Sequence, residues 1–165
     1  MKKILLFFLL FLGCKQEEDR IKPTRGVEFT KGTTVSESIS GERKWFLRAD
    51  SAITGKDRIR IYGVHLEFLE AEVVRSTLSS DSGLVIENTG DLVAYGNVRV
   101  ITRDSVKVFT DSLSWDNSKE RILVKGRFRY QGKDEAFTGE GLESDPELSH
   151  IIIKKRVEGE GRIKE

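Results

Sequence analysis

The chain has 165 residues and a mass of 18.7 kDa, which fits one ordinary domain. Lys+Arg number 28 and Asp+Glu number 27, so the chain lacks the basic surplus that nucleic-acid binding requires. After the first 13 residues, Val, Ile and Thr number 35 against 15 for Ala and Leu, which favours strands and excludes an all-helical fold.

The N-terminus carries a targeting signal. Two lysines precede an apolar run over residues 4–12, which as a helix spans about 14 Å and is too short to cross a bilayer. This pattern predicts a secretory signal peptide over residues 1–13. Residues 11–14 (Phe-Leu-Gly-Cys) resemble a bacterial lipobox, so we expect Cys14 to be lipidated and to begin the mature chain. The alternative is a plain cleaved signal followed by a free thiol.

A polar segment over residues 14–43 follows. Its few apolar residues have no period, so we predict a flexible tether with an end-to-end distance of about 30 Å. The end of this segment, around Glu28–Ile39, is compatible with one irregular strand. Cys14 is the only cysteine, so an intramolecular disulfide is excluded and the fold relies on its apolar core.

A repeat with a period near 30 residues occupies the predicted domain, residues 44–165. An acidic residue follows a short apolar run in each of four units; these residues are Asp50, Asp81, Asp111 and Glu140, spaced 31, 30 and 29 apart. About two extended runs per unit indicate a regular stack of β-strands. The three Asp-Ser pairs are predicted to end strands by bonding to local backbone; the alternative interpretation is an acidic cluster.

Glycine recurs in the second run of the first three units, at Gly63, Gly96 and Gly126. A glycine inside a strand usually marks a bend or bulge, so each long strand is expected to contribute to two sheets. The predicted fold is therefore all-β, an antiparallel β-jelly-roll of two facing sheets with bent strands and an internal repeat of about 30 residues.

Five short segments suggest a family by their order and spacing. They are residues 45–49 (Trp-Phe-Leu-Arg-Ala), 96–98 (Gly-Asn-Val), 110–115 (Thr-Asp-Ser-Leu-Ser-Trp), 139–142 (Gly-Glu-Gly-Leu) and 157–159 (Val-Glu-Gly). Together they resemble the OstA-like β-jelly-roll domain of the lipopolysaccharide transport proteins, and within that group the LptC family. One feature departs from the family: many members use an N-terminal membrane-spanning helix, where this chain has the predicted acylated Cys14.

The resemblance implies a non-enzymatic, lipopolysaccharide-binding component of the export machinery. It would lie in the periplasm, tethered by a lipid anchor to a membrane, which the resemblance implies is the inner membrane. It would pass lipid from an inner-membrane ABC transporter to a periplasmic bridge protein of the OstA-like family. The alternative is a structural or adhesive β-sandwich surface lipoprotein without lipid transport; a third option is the soluble bridge itself, against which Cys14 argues.

Catalytic chemistry finds little support in the residues. His65 and His150 stand far apart in separate repeats, so the clustered ligands of a metal site are missing from the sequence. A glycine-rich phosphate loop is missing too. We therefore expect no catalytic residue, metal or cofactor, and we predict that Trp45 and Trp115 are core or seam residues rather than ligand platforms.

The predicted function instead needs an apolar groove between the sheets. Each acyl CH₂ moved there from water gains about 0.8 kcal/mol, so a lipid can bind without a catalytic group. The alternative is that the same residues form a closed core. The candidate lining residues are Leu47, Ile59, Ile61, Leu66, Phe68, Leu78, Leu84, Ile86, Leu92, Val98, Val100, Val106, Val108, Ile122, Val124, Phe128, Phe137, Ile151 and Ile153.

Open sheet edges are the second expected feature, because the resemblance implies that partner jelly-rolls join them by strand addition. The predicted edges are the C-terminal strand, about residues 150–157, and the first strand near Trp45. Lys154, Lys155 and Arg156 lie on the first of these. They are interpreted as charges that prevent aggregation, with a weak site for anionic headgroups as the alternative.

Overall fold

The computed structural model describes the backbone of residues 28–39 and 42–161, and the side chains of residues 31–34 and 44–155. Its nine strands are β1 (Glu28–Ile39), β2 (Glu42–Thr54), β3 (Arg58–Glu70), β4 (Val73–Ile86), β5 (Asp91–Thr102), β6 (Lys107–Asp116), β7 (Arg121–Gln131), β8 (Glu135–Ser144) and β9 (Ile152–Gly161). The predicted signal peptide and Cys14 lie outside the described residues.

The strands form one open sheet in the order β1 to β9, and every neighbouring pair is antiparallel. The all-β prediction is confirmed for the described residues, which contain no helix and hence none long and apolar enough to cross a membrane. The β2–β3, β4–β5 and β6–β7 turns lie at one end of the sheet, called end 1. The β3–β4, β5–β6 and β7–β8 turns lie at the other, called end 2.

The sheet begins before the predicted domain boundary. β1 lies within residues 14–43, the predicted tether, and pairs with β2 from Glu28 opposite Thr54 to Ile39 opposite Glu42. The predicted edge near Trp45 is therefore wrong, because β1 covers that strand. β1 lacks a clear apolar alternation, but pairing with β2 satisfies its backbone groups on one side, and that requires no particular side chain. β9 ends the strand order, as expected of the C-terminal run.

The strands bend where their pairing register shifts. Between β4 and β5 the register shifts after Ser79, opposite Gly96 and Asn97, which have φ of 74° and 46°. Asn97 Nδ2 donates to Asp81 Oδ2 over 2.8 Å. A Cβ on Gly96 would lie 2.5 Å from the same carboxylate oxygen, so glycine is required at this bulge.

A similar contact occurs one unit earlier, where a Cβ on Gly63 would collide with the Asp50 carboxylate. The third glycine, Gly126, has open space around it. Asp50, Asp81 and Asp111 all lie inside strands, so the prediction that the Asp-Ser pairs end strands is wrong. At Asp81 and Asp111 a register shift absorbs the irregularity and the hydrogen-bond ladder resumes beyond it, whereas at Asp50 the pairing with β3 continues in the same register.

The bends also change which residues face the core. Along β4, Leu78 and Ser80 are buried, and beyond the bend Gly83 and Val85 are buried instead. The inward positions thus switch from even to odd numbers. Leu84 and Ile86, both predicted to line the interior, are half-buried on the outer face for this reason.

Contacts across the sheet show that it folds over itself. Phe68 lies near end 2 of β3 and Trp115 near end 1 of β6, and the two strands would be about 14 Å apart in a flat sheet. Their ring centroids are 4.7 Å apart. The strands must therefore bend far enough to bring opposite ends of the sheet together around the apolar core.

Tyr130 provides a pH-dependent test of this core. It is 7% exposed and stacks on Phe137 with a centroid distance of 4.5 Å. Burial raises the pKa of Tyr130, and Glu135 adds to the effect. Above about pH 10 the unfolded state loses this proton before the folded state does, so the free energy of unfolding falls as the pH rises towards the folded pKa.

We expect Tyr130→Phe to flatten this alkaline loss of stability, measured by urea unfolding at pH 8 and at successively higher pH values. Tyr95→Phe is the matched control, because it removes the same hydroxyl group from a side chain that is 45% exposed. Equal slopes for Tyr130→Phe and the unmodified chain would contradict the prediction.

Candidate functional site

The folded sheet closes along a seam at which Asn117 joins three segments. Its Oδ1 accepts hydrogen bonds from the indole Nε1 atoms of Trp45, at 2.9 Å, and Trp115, at 3.3 Å. Its Nδ2 donates to the carbonyl oxygen of Thr89 over 3.1 Å. These four residues are called the seam. They tie the start of β2, at end 2, to the β4–β5 and β6–β7 turns at end 1.

Local turn chemistry positions Asn117. Asp116 Oδ1 accepts from the Lys119 backbone nitrogen over 3.1 Å, and Lys119 Nζ lies 2.7 Å from Asp116 Oδ2. Hydrogen bonds from Lys119 and Ser118 lower the pKa of Asp116, so it holds the turn as a carboxylate. Asp91 Oδ1 accepts from the Asn117 backbone nitrogen over 2.9 Å. The turn is thereby fixed from both sides.

The interior beneath the seam is filled. A void beneath it has a volume of about 10 Å³, close to the lower limit for one water molecule. Its lining residues are Trp45, Leu47, Leu66, Val85, Gly90, Leu92 and Trp115. This void is too small to hold an acyl chain.

A cleft of about 400 Å³ lies on the outer side of the seam. Trp45, Phe68 and Trp115 contribute to its lining, and they are only 4–6% exposed. Its rim carries charges of both signs, including an Arg75–Glu70 ion pair at 2.5 Å. The cleft thus gives access to the aromatic side chains that close the interior.

Most predicted lining residues lie in the core or against it. Buried ones are Leu47, Ile61, Leu66, Phe68, Leu78, Leu92, Val98, Val100, Val108, Ile122, Val124 and Phe128. Ile59, Val106, Phe137, Ile151 and Ile153 are partly buried against this cluster. Leu84 and Ile86 are the exceptions described above. Burial is common to a core and to a closed groove, so it does not assign lipid contact.

Sequence reasoning missed several core residues. These are Val64, Val85, Ala94, Leu113 and Leu142, all at most 5% exposed. Four of them lie beyond a bend. If the two-residue alternation of the first half of the strand is continued past the bend, it places these residues on the wrong face. Asn117 was also missed, because a single asparagine in a turn carries no recognisable signal.

The two histidines of the described part of the chain lie apart from each other. His65 Nε2 lies 3.3 Å from Glu67 Oε1, and His150 Nδ1 lies 3.1 Å from Asp145 Oδ2. Within the described residues, no group of three His, Cys, Asp or Glu is placed to hold a metal ion. The two histidines therefore make separate local pairs.

The C-terminal edge strand is charged. Lys154 Nζ lies 3.0 Å from Glu143 Oε2, and Lys155 Nζ lies 3.1 Å from Glu140 Oε1, both on β8. The Arg156 side chain lies outside the described residues. Paired lysines fit the interpretation as protective edge charges better than the headgroup alternative.

Comparison with known proteins adds no relative. The chain matches no model of a known protein family and no curated protein sequence.

Proposed function

We propose that this protein is a membrane-tethered periplasmic component of lipopolysaccharide export, similar to the LptC family. It receives lipopolysaccharide from an inner-membrane ABC transporter and passes it to a periplasmic bridge protein. Acylated Cys14 provides the anchor, the bent halves of the repeated strands act as two facing layers of a jelly-roll, and the partner's ATP hydrolysis supplies direction. The observation that carries the proposal is the apolar interior closed by the seam.

The composition of this interior supports lipid rather than polar cargo. The buried residues of the described chain include 23 hydrophobic side chains and only four polar ones, which are Ser76, Ser80, Thr102 and Ser144. A site for a polar ligand would need more hydrogen-bonding groups aimed inwards. An acyl chain needs only apolar surface.

The seam provides a gate of suitable strength. Three hydrogen bonds from or to the Asn117 side chain close it, and each contributes about 0.5–1.5 kcal/mol net. Transfer of acyl CH₂ groups gains about 0.8 kcal/mol each, so about six of them offset the loss of all three bonds. Lipid binding can therefore offset the loss of these hydrogen bonds, and partner jelly-rolls would extend the interior.

The sheet edges supply the means of joining partners. β1 and β9 each have one neighbouring strand in the described sheet, so each presents a row of backbone groups on its other side. Strand addition at one edge would join the transporter's jelly-roll, and addition at the other would join the bridge protein. Continuous strand pairing would align the apolar interiors of the transporter's jelly-roll, this protein and the bridge protein.

The filled interior favours a second candidate, a structural or adhesive surface lipoprotein. A void of about 10 Å³ beneath the seam is what a permanently closed sandwich would have. In this alternative the seam would be a structural fastening that never opens.

A photo-crosslinking experiment separates these functions. Benzoylphenylalanine replaces Phe128 or Phe137, whose rings lie 6.1 Å apart in the interior, in the full-length chain. Lipopolysaccharide should crosslink at both positions, and Asn117→Ala should increase the yield by removing the side chain that fastens the seam. Tyr95, outward and 45% exposed, is the control position and should give no crosslink.

Circular dichroism must show that each variant retains its strands. Crosslinking at Tyr95 alone would contradict the interior site. The absence of crosslinks at all three positions, with or without Asn117→Ala, would reject lipid carriage and favour the structural function.

A further inference from the structure

Positive charge is concentrated on one outer face of the sheet although the whole chain is nearly neutral. The face is formed by outward side chains of β5–β7 between the bends and end 2. These are Arg99, Ile101, Lys107, Phe109, Arg127 and Arg129, called the arginine face. It holds four cations, and near the bends Arg127 and Arg129 share a cleft of about 430 Å³ with Asp111 and Glu140.

Strand register places the central residues of this face side by side. Arg99 on β5 lies directly opposite Phe109 on β6, which lies opposite Arg129 on β7. The Arg129 guanidinium is 4.6 Å from the Phe109 ring centroid. In the next row, Ile101 lies opposite Lys107. Cations and apolar side chains therefore alternate across neighbouring strands, and stacking restrains one of the guanidinium groups.

The cations of the arginine face make no ion pair with another described residue. In contrast, Lys154 and Lys155 on the edge strand pair with carboxylates on β8. Three of the arginine-face residues are exposed: Arg99, Arg127 and Arg129. Their charge is thus available to a ligand outside the chain.

The nearest carboxylates are engaged elsewhere or lie at the margins. Glu140 lies opposite Arg127 and forms an ion pair with Lys155. Asp104 accepts a hydrogen bond from the Thr102 hydroxyl. Asp111 is exposed at the bend. They limit the face on two sides and leave Arg99, Lys107 and Arg129 at its centre.

We propose that the arginine face binds the surface of an anionic phospholipid bilayer. Its charge is complementary to lipid phosphates, and Ile101, 36% exposed, offers apolar surface to the interfacial region. The cationic side chains come from three adjacent strands, so they can contact several lipid headgroups at once. The proposal depends neither on acylation of Cys14 nor on lipopolysaccharide carriage.

Vesicle flotation tests this proposal with the full-length chain. The measured quantity is the ratio of binding to vesicles of phosphatidylcholine with phosphatidylglycerol over binding to phosphatidylcholine alone. Residues 1–27 contribute equally in every variant. Replacing Arg99, Lys107 and Arg129 by glutamine should lower this ratio by about fivefold per charge, hence about a hundredfold, and added salt should reduce the ratio of the unmodified chain.

The matched control replaces Lys56, Arg58 and Arg60 by glutamine. This triple variant removes the same residue types, all exposed, from the other end of the sheet, and should leave the ratio unchanged. Because Arg129→Gln also removes the contact with Phe109, the double variant Arg99→Gln/Lys107→Gln serves as a check that spares the stack. It should lower the ratio by about 25-fold.

Three results would overturn the proposal. The first is equal loss in the two triple variants, which would indicate a response to net charge alone. The second is a ratio near one for the unmodified chain. The third is binding of a single-stranded oligonucleotide that depends on Arg99, Lys107 and Arg129 and that added vesicles do not displace. This result would assign the face to nucleic acid.

Discussion

Replacing Trp115 by alanine is expected to lower the free energy of unfolding by about 3–5 kcal/mol, the range for large aromatic deletions in a core. Trp115 is 4% exposed, and its ring lies 4.7 Å from that of Phe68. Its removal leaves a cavity where opposite ends of the sheet meet. It also removes one of the hydrogen bonds to Asn117. The measurement is urea unfolding followed by circular dichroism.

Tyr95→Ala is the control, because an aromatic side chain on the outer face should change the free energy of unfolding by no more than about 0.5 kcal/mol. A double-mutant cycle of Phe68→Ala with Trp115→Ala should give a coupling energy of about 0.5–1.5 kcal/mol. A loss below 1 kcal/mol for Trp115→Ala, or additive effects in the cycle, would contradict the folded-over arrangement.

The second large effect is expected at Gly63. Gly63→Ala places a Cβ against the Asp50 carboxylate, with Cγ only 2.5 Å away, and at a φ of 61° that costs an L-residue about 1–2 kcal/mol by itself. We expect a total loss of about 2–4 kcal/mol in the free energy of unfolding, since the carboxylate must also move. Thermal and urea unfolding of the full-length chain measure it.

Gly126→Ala is the matched substitution in another unit. A Cβ there meets nothing within 4 Å, and Gly126 is not among the glycines with positive φ. We expect a gain of about 0.4–1 kcal/mol, because alanine restricts the unfolded chain. Combining Asp50→Gly with Gly63→Ala should restore the part of the stability lost to the collision, because the carboxylate is gone. The part lost to backbone strain at residue 63 should remain. Equal effects at Gly63 and Gly126 would show that the bends do not differ as described.

Local patterns were sufficient to predict part of this fold. The excess of β-branched residues and the alternating runs predicted strands, and antiparallel β-strands are observed throughout the described residues. The glycine positions predicted bends, and Gly63 and Gly96 occupy them with left-handed backbone conformations. Alternation reports which side chains share a face, and it depends only on neighbours in sequence.

Prediction failed where a bend changed the alternation. Leu84 and Ile86 were assigned to the interior, whereas Val85 between them is 5% exposed. A bulge adds a residue to one strand and thereby exchanges its two faces, and its position depends on the partner strand. β1 depends on its partner in another way. Its own residues lack the apolar alternation of a strand, and pairing with β2 determines its conformation.

The strands, their bends and the apolar character of the interior were already implied by residue order, because each depends on contacts between neighbours along the chain. Folding of the whole sheet decided the rest. Trp45 and Asn117 are 72 residues apart in sequence yet hydrogen-bonded, and only the curvature of the sheet brings them together. The arginine face also depends on the tertiary structure. The totals of 28 basic and 27 acidic residues do not say where the charges lie, whereas strand register places cations from β5, β6 and β7 on one surface.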